Sequence, residues 1–312
     1  MTYDLIIIGG GPAGVAAGVY AARKKLQTLF FTYDFGGQSN VSAEIQNWIG
    51  TPAISGEQLA KNLEAHLRAY EGNPPAGGLI IKSGVKVAKV DSVGKHFTVS
   101  TDDGQTSESR TVLVTTGATR RKLMVSGADI FEQKGITYCA TCDGPMFADK
   151  DVVVVGGGNA AFETALQLLA YAKSIIILHH GAEFKADKIT VDKVLARPKI
   201  KAVLNAETIE IKGDKFVKSL VYKNKLTDEK VELITEGVFV EIGLVPTTAL
   251  VQGITELNAY GSIVVDPKNQ RTKTAGLWAA GDCTDGLYHQ NNIATGDAIK
   301  ALEDIYLYLY RQ

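Results

Sequence analysis

Short, unbroken apolar runs organise this chain, and two of them lead straight into glycines. Leu5-Ile6-Ile7-Ile8 closes a strand expected from Tyr3 to Ile8, and Val152-Val153-Val154-Val155 fills another from Asp151. A run without polar alternation predicts a strand buried on both faces, as in a parallel sheet covered by helices. Gly9-Gly10-Gly11-Pro12-Ala13-Gly14 follows the first run, then an Ala-rich helical stretch to Arg23. Pro12 suits the first turn of that helix, where a missing N–H costs nothing. Gly156-Gly157-Gly158-Asn159-Ala160-Ala161 follows the second run, with a helix expected from Phe162 to Ala172. Apolar strands from Thr28 to Thr32 and from Ser174 to Leu178 complete two βαβ units. Val85 to Val90, Phe97 to Thr101 and Phe216 to Tyr222 read as shorter strands, and residues 72–78 as a surface loop. The two glycine turns lie 147 residues apart, so the pattern is α/β with two Rossmann-like dinucleotide-binding domains.

Composition narrows the function classes. With 33 Lys+Arg against 34 Asp+Glu, the formal charge is −1, which argues against a nucleic-acid surface. A length of 312 residues suggests two domains of roughly 150 residues each. An apolar content of 45% with 21% charged residues describes a globular chain rather than a disordered one. No apolar run reaches the length of a membrane span, and the first residues lack the pattern of a secretory signal. A cytoplasmic protein with no membrane partner is therefore expected. Three cysteines do not make a disulfide scaffold.

A strand feeding a glycine turn and a helix gathers backbone N–H groups and a positive helix end at one point, which suits a pyrophosphate. In the first turn Gly9 permits the turn, Gly11 lets the phosphate approach, and Gly14 allows close helix–strand packing. Asp34 lies 20 residues beyond Gly14, where an acid can bond a ribose hydroxyl. The second turn fits the same pattern through Gly156, Gly158 and Ala161, but its strand ends Leu178-His179-His180-Gly181, without the acid. A third motif, Leu277-Trp278-Ala279-Ala280-Gly281-Asp282, resembles the element that holds the ribityl chain of FAD in two-dinucleotide flavoproteins. Val112 to Ala118 resembles the crossing strand after which the chain leaves the FAD domain. These make the first nucleotide FAD and the second a nicotinamide dinucleotide.

Cys139-Ala140-Thr141-Cys142-Asp143 admits several readings. Structural zinc needs four ligands, and only Cys283 remains. Covalent haem needs His where Asp143 stands. Two inert buried thiols stay possible. A redox pair fits best, because this spacing lets two sulfurs bridge and exchange. Asp143 then serves as proton donor and acceptor, or as an ordinary cap of the turn from Gly144 to Ala148. Cys283 reads as a small buried residue beside the flavin site, and no metal is expected.

The sequence resembles the low-molecular-weight thioredoxin reductases over essentially its whole length. The resemblance is carried by Gly9 to Gly14, Gly36-Gly37-Gln38, Gln46-Asn47-Trp48, Thr116-Gly117-Ala118, Cys139 to Asp143, Gly156 to Ala161, Phe239 to Gly243 and Gly281-Asp282. It implies FAD contacts from Gly9, Gly11, Pro12, Ala13, Gly14, Asp34, Gly37, Gln38, Asn47, Val87, Thr116, Gly117, Ala118, Gly281, Asp282, His289 and Gln290. For the nicotinamide dinucleotide it implies Gly156, Gly158, Asn159, Ala160, Ala161, His179, His180, Lys185 and Gly243. Cys142 would be the sulfur next to the flavin, and Cys139 would attack the disulfide of a thioredoxin-like partner. The FAD domain would be discontinuous, residues 1–116 and 245–312, with a nicotinamide domain inserted at 117–244. Two crossings, near Thr116 to Arg120 and Ile242 to Pro246, would serve as a hinge for a domain rotation. A homodimer is implied by the resemblance alone.

One stretch departs from that family. Its usual arginine clamp for the 2′-phosphate of NADPH is replaced by His179-His180-Gly181-Ala182-Glu183-Phe184-Lys185. A guanidinium fork grips phosphate bidentately, whereas neutral histidine and one lysine offer less. Both NADPH and NADH therefore stand as donors. Lys185-Ala186-Asp187-Lys188 and Tyr288-His289-Gln290 look more like the alkyl hydroperoxide reductase flavoprotein, a related enzyme that prefers NADH. The histidines otherwise read as solvent-side residues at a strand end. A ferredoxin-driven reductase, an NADH-dependent reductase of a peroxiredoxin system and a FAD-bound redox sensor are the alternative functions.

Overall fold

The computed structural model describes residues 2–42, 45–72 and 78–311, so the expected loop at 73–77 lies outside the described residues. The chain divides into two compact units. One takes in residues 2–42, 48–119 and 245–311, the other 45–47 and 120–244. The fold is mixed α/β with parallel sheets.

In the first unit five strands run parallel in the order Leu79–Ser83, Thr28–Thr32, Thr2–Ile8, Thr106–Val114 and Leu277–Ala279. Thr106–Val114 serves two pairings. Its last residues pair parallel with Leu277–Ala279, and its first pair antiparallel with His96–Thr101, itself in a hairpin with Val87–Val93. The apolar run at Leu5 to Ile8 is buried on both faces because it alternates between two cores. Leu5 and Ile7 pack with Val15 and Val19 of the Pro12–Arg23 helix and with Leu302 and Ile305 of the Asn291–Tyr310 helix. Ile6 and Ile8 pack on the other face with Val99, Val251 and Ile263. Side chains on successive strand residues point to opposite faces, so a strand between two apolar layers needs apolar residues at every position. The C-terminal helix is fixed to the sheet where Trp278 Nε1 donates to Asp304 at 2.9 Å, a carboxylate that Arg271 also engages at 3.1 Å.

The second unit repeats the plan. Its parallel sheet runs Ile200–Val203, Ser174–Leu178, Asp151–Val155, Gly237–Val240 and Ile136–Thr137. Val152 and Val154 pack with Phe162, Ala165 and Leu168 of the Asn159–Leu168 helix. Val153 and Val155 face a three-stranded antiparallel sheet, Ala206–Gly213, Val217–Asn224 and Lys230–Ile234, through Ile211, Val217 and Leu220. That helix is placed differently from the expected span of Phe162 to Ala172: it begins at Asn159 and stops at Leu168. The Tyr171 carbonyl accepts instead from the Asp149 N–H at 3.0 Å, and this tertiary bond takes residues 169–171 into turns. The shorter strands shift by up to three residues, to Val87–Val93, His96–Thr101 and Val217–Asn224. Among the described residues no helix is long and apolar enough to cross a membrane.

Candidate active site

The first glycine turn opens into a cavity of about 560 Å³ that lies wholly within the first unit. Gly9 has φ of +123°, a conformation that L side chains avoid, and a Cβ there would stand 2.3 Å from the Thr115 carbonyl oxygen. A Cβ on Gly14 would strike the Gly9 carbonyl at 1.8 Å. At Gly11 a Cβ would meet nothing within 4 Å, because that side of the turn faces the cavity. The Pro12–Arg23 helix starts there with no side-chain cap and no acid in its first turn. Its free N–H groups and positive end suit an anion, so the site fits the pyrophosphate of a dinucleotide.

The cavity gathers most of the residues the sequence assigns to the first nucleotide: Gly9, Gly11, Pro12, Ala13, Asp34, Gly37, Gln38, Val87, Thr116, Gly117, Ala118, Gly281 and Asp282 all line it. Gly14 sits behind the turn, where it packs rather than lines. The Gln38 amide donates to the Ala118 carbonyl, which ties the Gly37–Val41 turn to the chain leaving the sheet. His289 stands beside Asp282, Nδ1 to Oδ1 3.5 Å, and Gln290 precedes the C-terminal helix as its N-cap residue. Asn47 and Gly243 belong to the second unit, not to the one that holds the cavity. Some lining residues escaped the sequence reading. Asn291 and Ala294 bring the start of the C-terminal helix to the cavity, and Ser39 bonds Asn291 Oδ1 at 3.0 Å. Lys86 reaches it from just before the Val87–Val93 strand. The only sequence signal for Asn291 is its place nine residues after Asp282, while Lys86 carries none.

The second turn has the same construction. A Cβ on Gly156 would come within 2.3 Å of the Glu241 carbonyl oxygen, whereas one on Gly158 would meet nothing within 4 Å. The Asn159–Leu168 helix opens there, again without a side-chain cap. Asn159 is held by Asp187: its amide donates to Oδ2 at 3.1 Å, and its Oδ1 accepts the Asp187 N–H at 2.9 Å. Ala160 is exposed on the first turn of the helix and Ala161 buried beneath it. The Lys185 N–H donates to the Gly157 carbonyl at 2.7 Å, so the loop after the Ser174–Leu178 strand folds back onto the glycines.

His179 does not fit the alternative reading of a solvent-side residue. It is buried, with its ring over Gly157, where a Cβ would strike Nδ1 at 2.2 Å. The absent glycine side chain makes the room. Burial holds the ring below its ordinary pKa, and the neighbouring charges of His180 and Lys185 act in the same direction, against a bond the ring donates to the Glu183 backbone carbonyl. Its Nδ1 has no hydrogen-bond partner among the described residues. His180 and Lys185 are exposed.

Cys139 and Cys142 form a disulfide at the start of a short helix, Ala140–Asp143, in the second unit. The Cys139 sulfur accepts the Cys142 N–H at 3.2 Å. Thr141 Oγ1 donates to Gln167 Oε1 at 2.8 Å, which seats the pair on the helix that opens at the second turn. Asp143 does not cap the following turn with its side chain, as one reading expected. It accepts a bond from the Thr137 hydroxyl instead, because the carboxyl is turned back toward the Ile136–Thr137 strand. Burial pushes this carboxyl above the ordinary aspartate value, opposed by the Thr137 bond and the positive charge of Arg120. Cys283 is fully buried and its thiol is pushed up to about 11, so it is inert at neutral pH. Glu241, also missed by the sequence reading, accepts from Thr164 Oγ1 at 2.8 Å and is driven by burial to about 7.

The sequence profile of the pyridine nucleotide-disulphide oxidoreductases matches residues 3–298. The chain belongs to that family. The cofactors that family implies are FAD and a nicotinamide dinucleotide. A protein of Bacillus subtilis strain 168 named NADH dehydrogenase is 38% identical over 309 residues, covering 99% of this chain and 59% of that protein. An alkyl hydroperoxide reductase subunit of Escherichia coli K12 is 37% identical over 310 residues, covering 99% and 58%. The chain thus spans less than three fifths of the length of these two curated relatives. Among solved structures, thioredoxin reductase from Streptococcus pyogenes MGAS5005 aligns with a TM-score of 0.88 at 33% identity, covering 100% of this chain and 99% of that one. Thioredoxin reductase from Giardia duodenalis aligns with a TM-score of 0.90 at 31% identity, covering 99% of each.

Proposed function

We propose that this protein carries electrons from a nicotinamide dinucleotide through FAD to the Cys139–Cys142 disulfide, and from there to the disulfide of a thioredoxin-like protein. The observation that carries the reading is the disulfide itself, seated through Thr141 and Gln167 on the helix that opens at the second glycine turn. In this reading the first unit is the FAD domain and the second the nicotinamide domain. Bound FAD supplies a two-electron carrier between nicotinamide and disulfide. The protein's part is positioning. The turn at Gly9 to Gly14 receives the FAD pyrophosphate, Asp34 a ribose hydroxyl and Asp282 the ribityl chain, and the turn at Gly156 to Ala161 receives the second dinucleotide.

Two electrons and two protons open the Cys139–Cys142 bond to a dithiol. Cys139 is the attacking sulfur, since it already accepts the Cys142 N–H and a backbone donor stabilises a thiolate. It attacks one sulfur of the partner's disulfide, and the other leaves as a thiol. Cys142 then attacks the mixed disulfide, which restores the Cys139–Cys142 bond and releases the partner's second thiol. Asp143, kept protonated more readily than an ordinary aspartate, holds a proton at its carboxyl for these transfers.

Similarity to the alkyl hydroperoxide reductase of Escherichia coli supports a second reading of the partner, a disulfide in a peroxide-reducing system fed by NADH. Buried His179 and exposed Lys185, in place of paired arginines, favour that donor. A homodimer belongs to the proposal on the resemblance alone, and a cytoplasmic site of action on the composition. Cys139→Ser and Cys142→Ser variants test it: each should lose protein-disulfide reduction while keeping bound flavin. Unchanged turnover in either would refute it.

A further inference from the structure

The second unit holds a carboxyl that disulfide exchange does not use. Glu241 follows the Gly237–Val240 strand where the order of the sheet reverses, since Asp151–Val155 lies between that strand and Ser174–Leu178. Its backbone is locked at this point. The Glu241 N–H donates to the Val155 carbonyl at 2.8 Å, and its own carbonyl oxygen is the atom a Cβ on Gly156 would strike. The side chain turns to the Asn159–Leu168 helix, where Oε1 accepts from Thr164 Oγ1 at 2.8 Å.

A dinucleotide in a doubly wound unit crosses the sheet at such a reversal, its pyrophosphate on the glycine turn and its two nucleosides to either side. The adenosine side is the end of Ser174–Leu178, where an acid would ordinarily meet the ribose and His179 stands instead. The other side is the end of Gly237–Val240, occupied by Glu241. We propose that Glu241 faces the nicotinamide end of the donor, and that the proton on its carboxyl separates the neutral reduced ring from the cationic oxidised one. The proposal rests on the nucleotide reading of the second unit.

Ionised, the carboxylate attracts the positive ring of NAD⁺. Protonated, it can donate to and accept from the ring's carboxamide without favouring a cation. The charged groups that bear on it are Glu163 on the same helix as Thr164 and Arg120 at the crossing between the units. Burial and Glu163 favour the neutral form, while Thr164 and Arg120 favour the ionised one, and the balance places the change near neutral pH.

The test titrates oxidised holoprotein by calorimetry with NAD⁺ and with 1,4,5,6-tetrahydro-NAD, a neutral-ring analogue that gives no hydride. NAD⁺ affinity should rise about tenfold from pH 6 to pH 8, equivalent to one pH unit of coupling, while analogue affinity stays flat. Glu241→Gln should abolish the rise. Thr164→Val, which removes the bond favouring ionisation, should move its midpoint to higher pH and keeps the test open if the first variant does not fold. An equal rise in Glu241→Gln, or an unmoved midpoint in Thr164→Val, overturns the proposal. Failure of both ligands and of their 2′-phosphorylated counterparts to bind the unaltered protein at any pH overturns the nucleotide reading beneath it, a different result from either.

Discussion

Alanine at Gly11 and at Gly14 should produce opposite effects, although the two residues lie within one turn. At Gly14 a Cβ would stand 1.8 Å from the Gly9 carbonyl oxygen, where ordinary contact begins at 3.4 Å. The obstacle is backbone, so helix and strand must separate, and overpacking of this kind costs up to about 3 kcal/mol. The better helix propensity of alanine returns about 1 kcal/mol. The balance, a loss of roughly 2 kcal/mol, lowers Tm by roughly 5 °C in a chain of this size. At Gly11 the backbone has φ −73° and ψ −177°, which any residue adopts, and the Cβ meets no protein atom within 4 Å. Its lower unfolded-state entropy contributes about 0.5 kcal/mol, against somewhat under about 1 kcal/mol lost by replacing glycine with alanine at an N-cap. FAD-free protein should therefore melt within about 2 °C of the parent. The new methyl projects where a pyrophosphate approaches, so FAD affinity should fall at least tenfold, or about 1.4 kcal/mol. Scanning fluorimetry of the stripped protein and flavin fluorescence titration measure the two quantities. A Gly11→Ala protein that binds FAD normally, or a Gly14→Ala protein with unchanged Tm, would refute this account of the turn.

Glu241→Gln should change the pH dependence of stability. A carboxyl raised from 4.5 to about 7 in the fold stays protonated there while the unfolded chain ionises, so stability declines between those pH values. The variant should lack that decline, worth roughly 3 kcal/mol at pH 8; parallel Tm curves from pH 4.5 to pH 8 would contradict it. His179 works in the opposite sense. Its depressed folded value makes its contribution complete above pH 6.5 and lost as pH falls below that, so His179→Asn should flatten the acid limb of the Tm curve, and an unchanged limb would contradict this. His180→Arg supplies an exposed guanidinium at the adenosine end and should shift the kcat/KM ratio toward NADPH by about tenfold. A ratio that does not move would place the 2′-phosphate elsewhere.

The strands around both glycine turns were legible because a strand between two apolar layers cannot carry a polar alternation. Thr28–Thr32, Asp151–Val155 and Ser174–Leu178 have the bounds the apolar runs suggest. The Asn159–Leu168 helix was misjudged because its end is decided by Asp149, a partner 22 residues before Tyr171 in the chain. The solvent-side reading of His179 fails for a related reason. Polar residues at a strand end read as exposed, yet Gly157 leaves a hollow that an imidazole fills. Glu241 gave no signal at all, since one acid after an apolar strand is ordinary until Thr164 and Gly156 are seen around it. Asp143 was noticed for its place beside Cys142, but only the fold shows that Thr137 holds it.

Anaerobic reduction followed by thiol labelling follows electrons from the nicotinamide through the flavin to the Cys139–Cys142 bond. The oxidised holoprotein is titrated with NADH or NADPH, flavin absorbance is followed, and new thiols are alkylated and located by mass spectrometry. A nicotinamide donor should bleach the flavin, and Cys139 and Cys142 should become alkylated together, with buried Cys283 unlabelled under native conditions. Bleaching that leaves the Cys139–Cys142 bond oxidised would contradict that path.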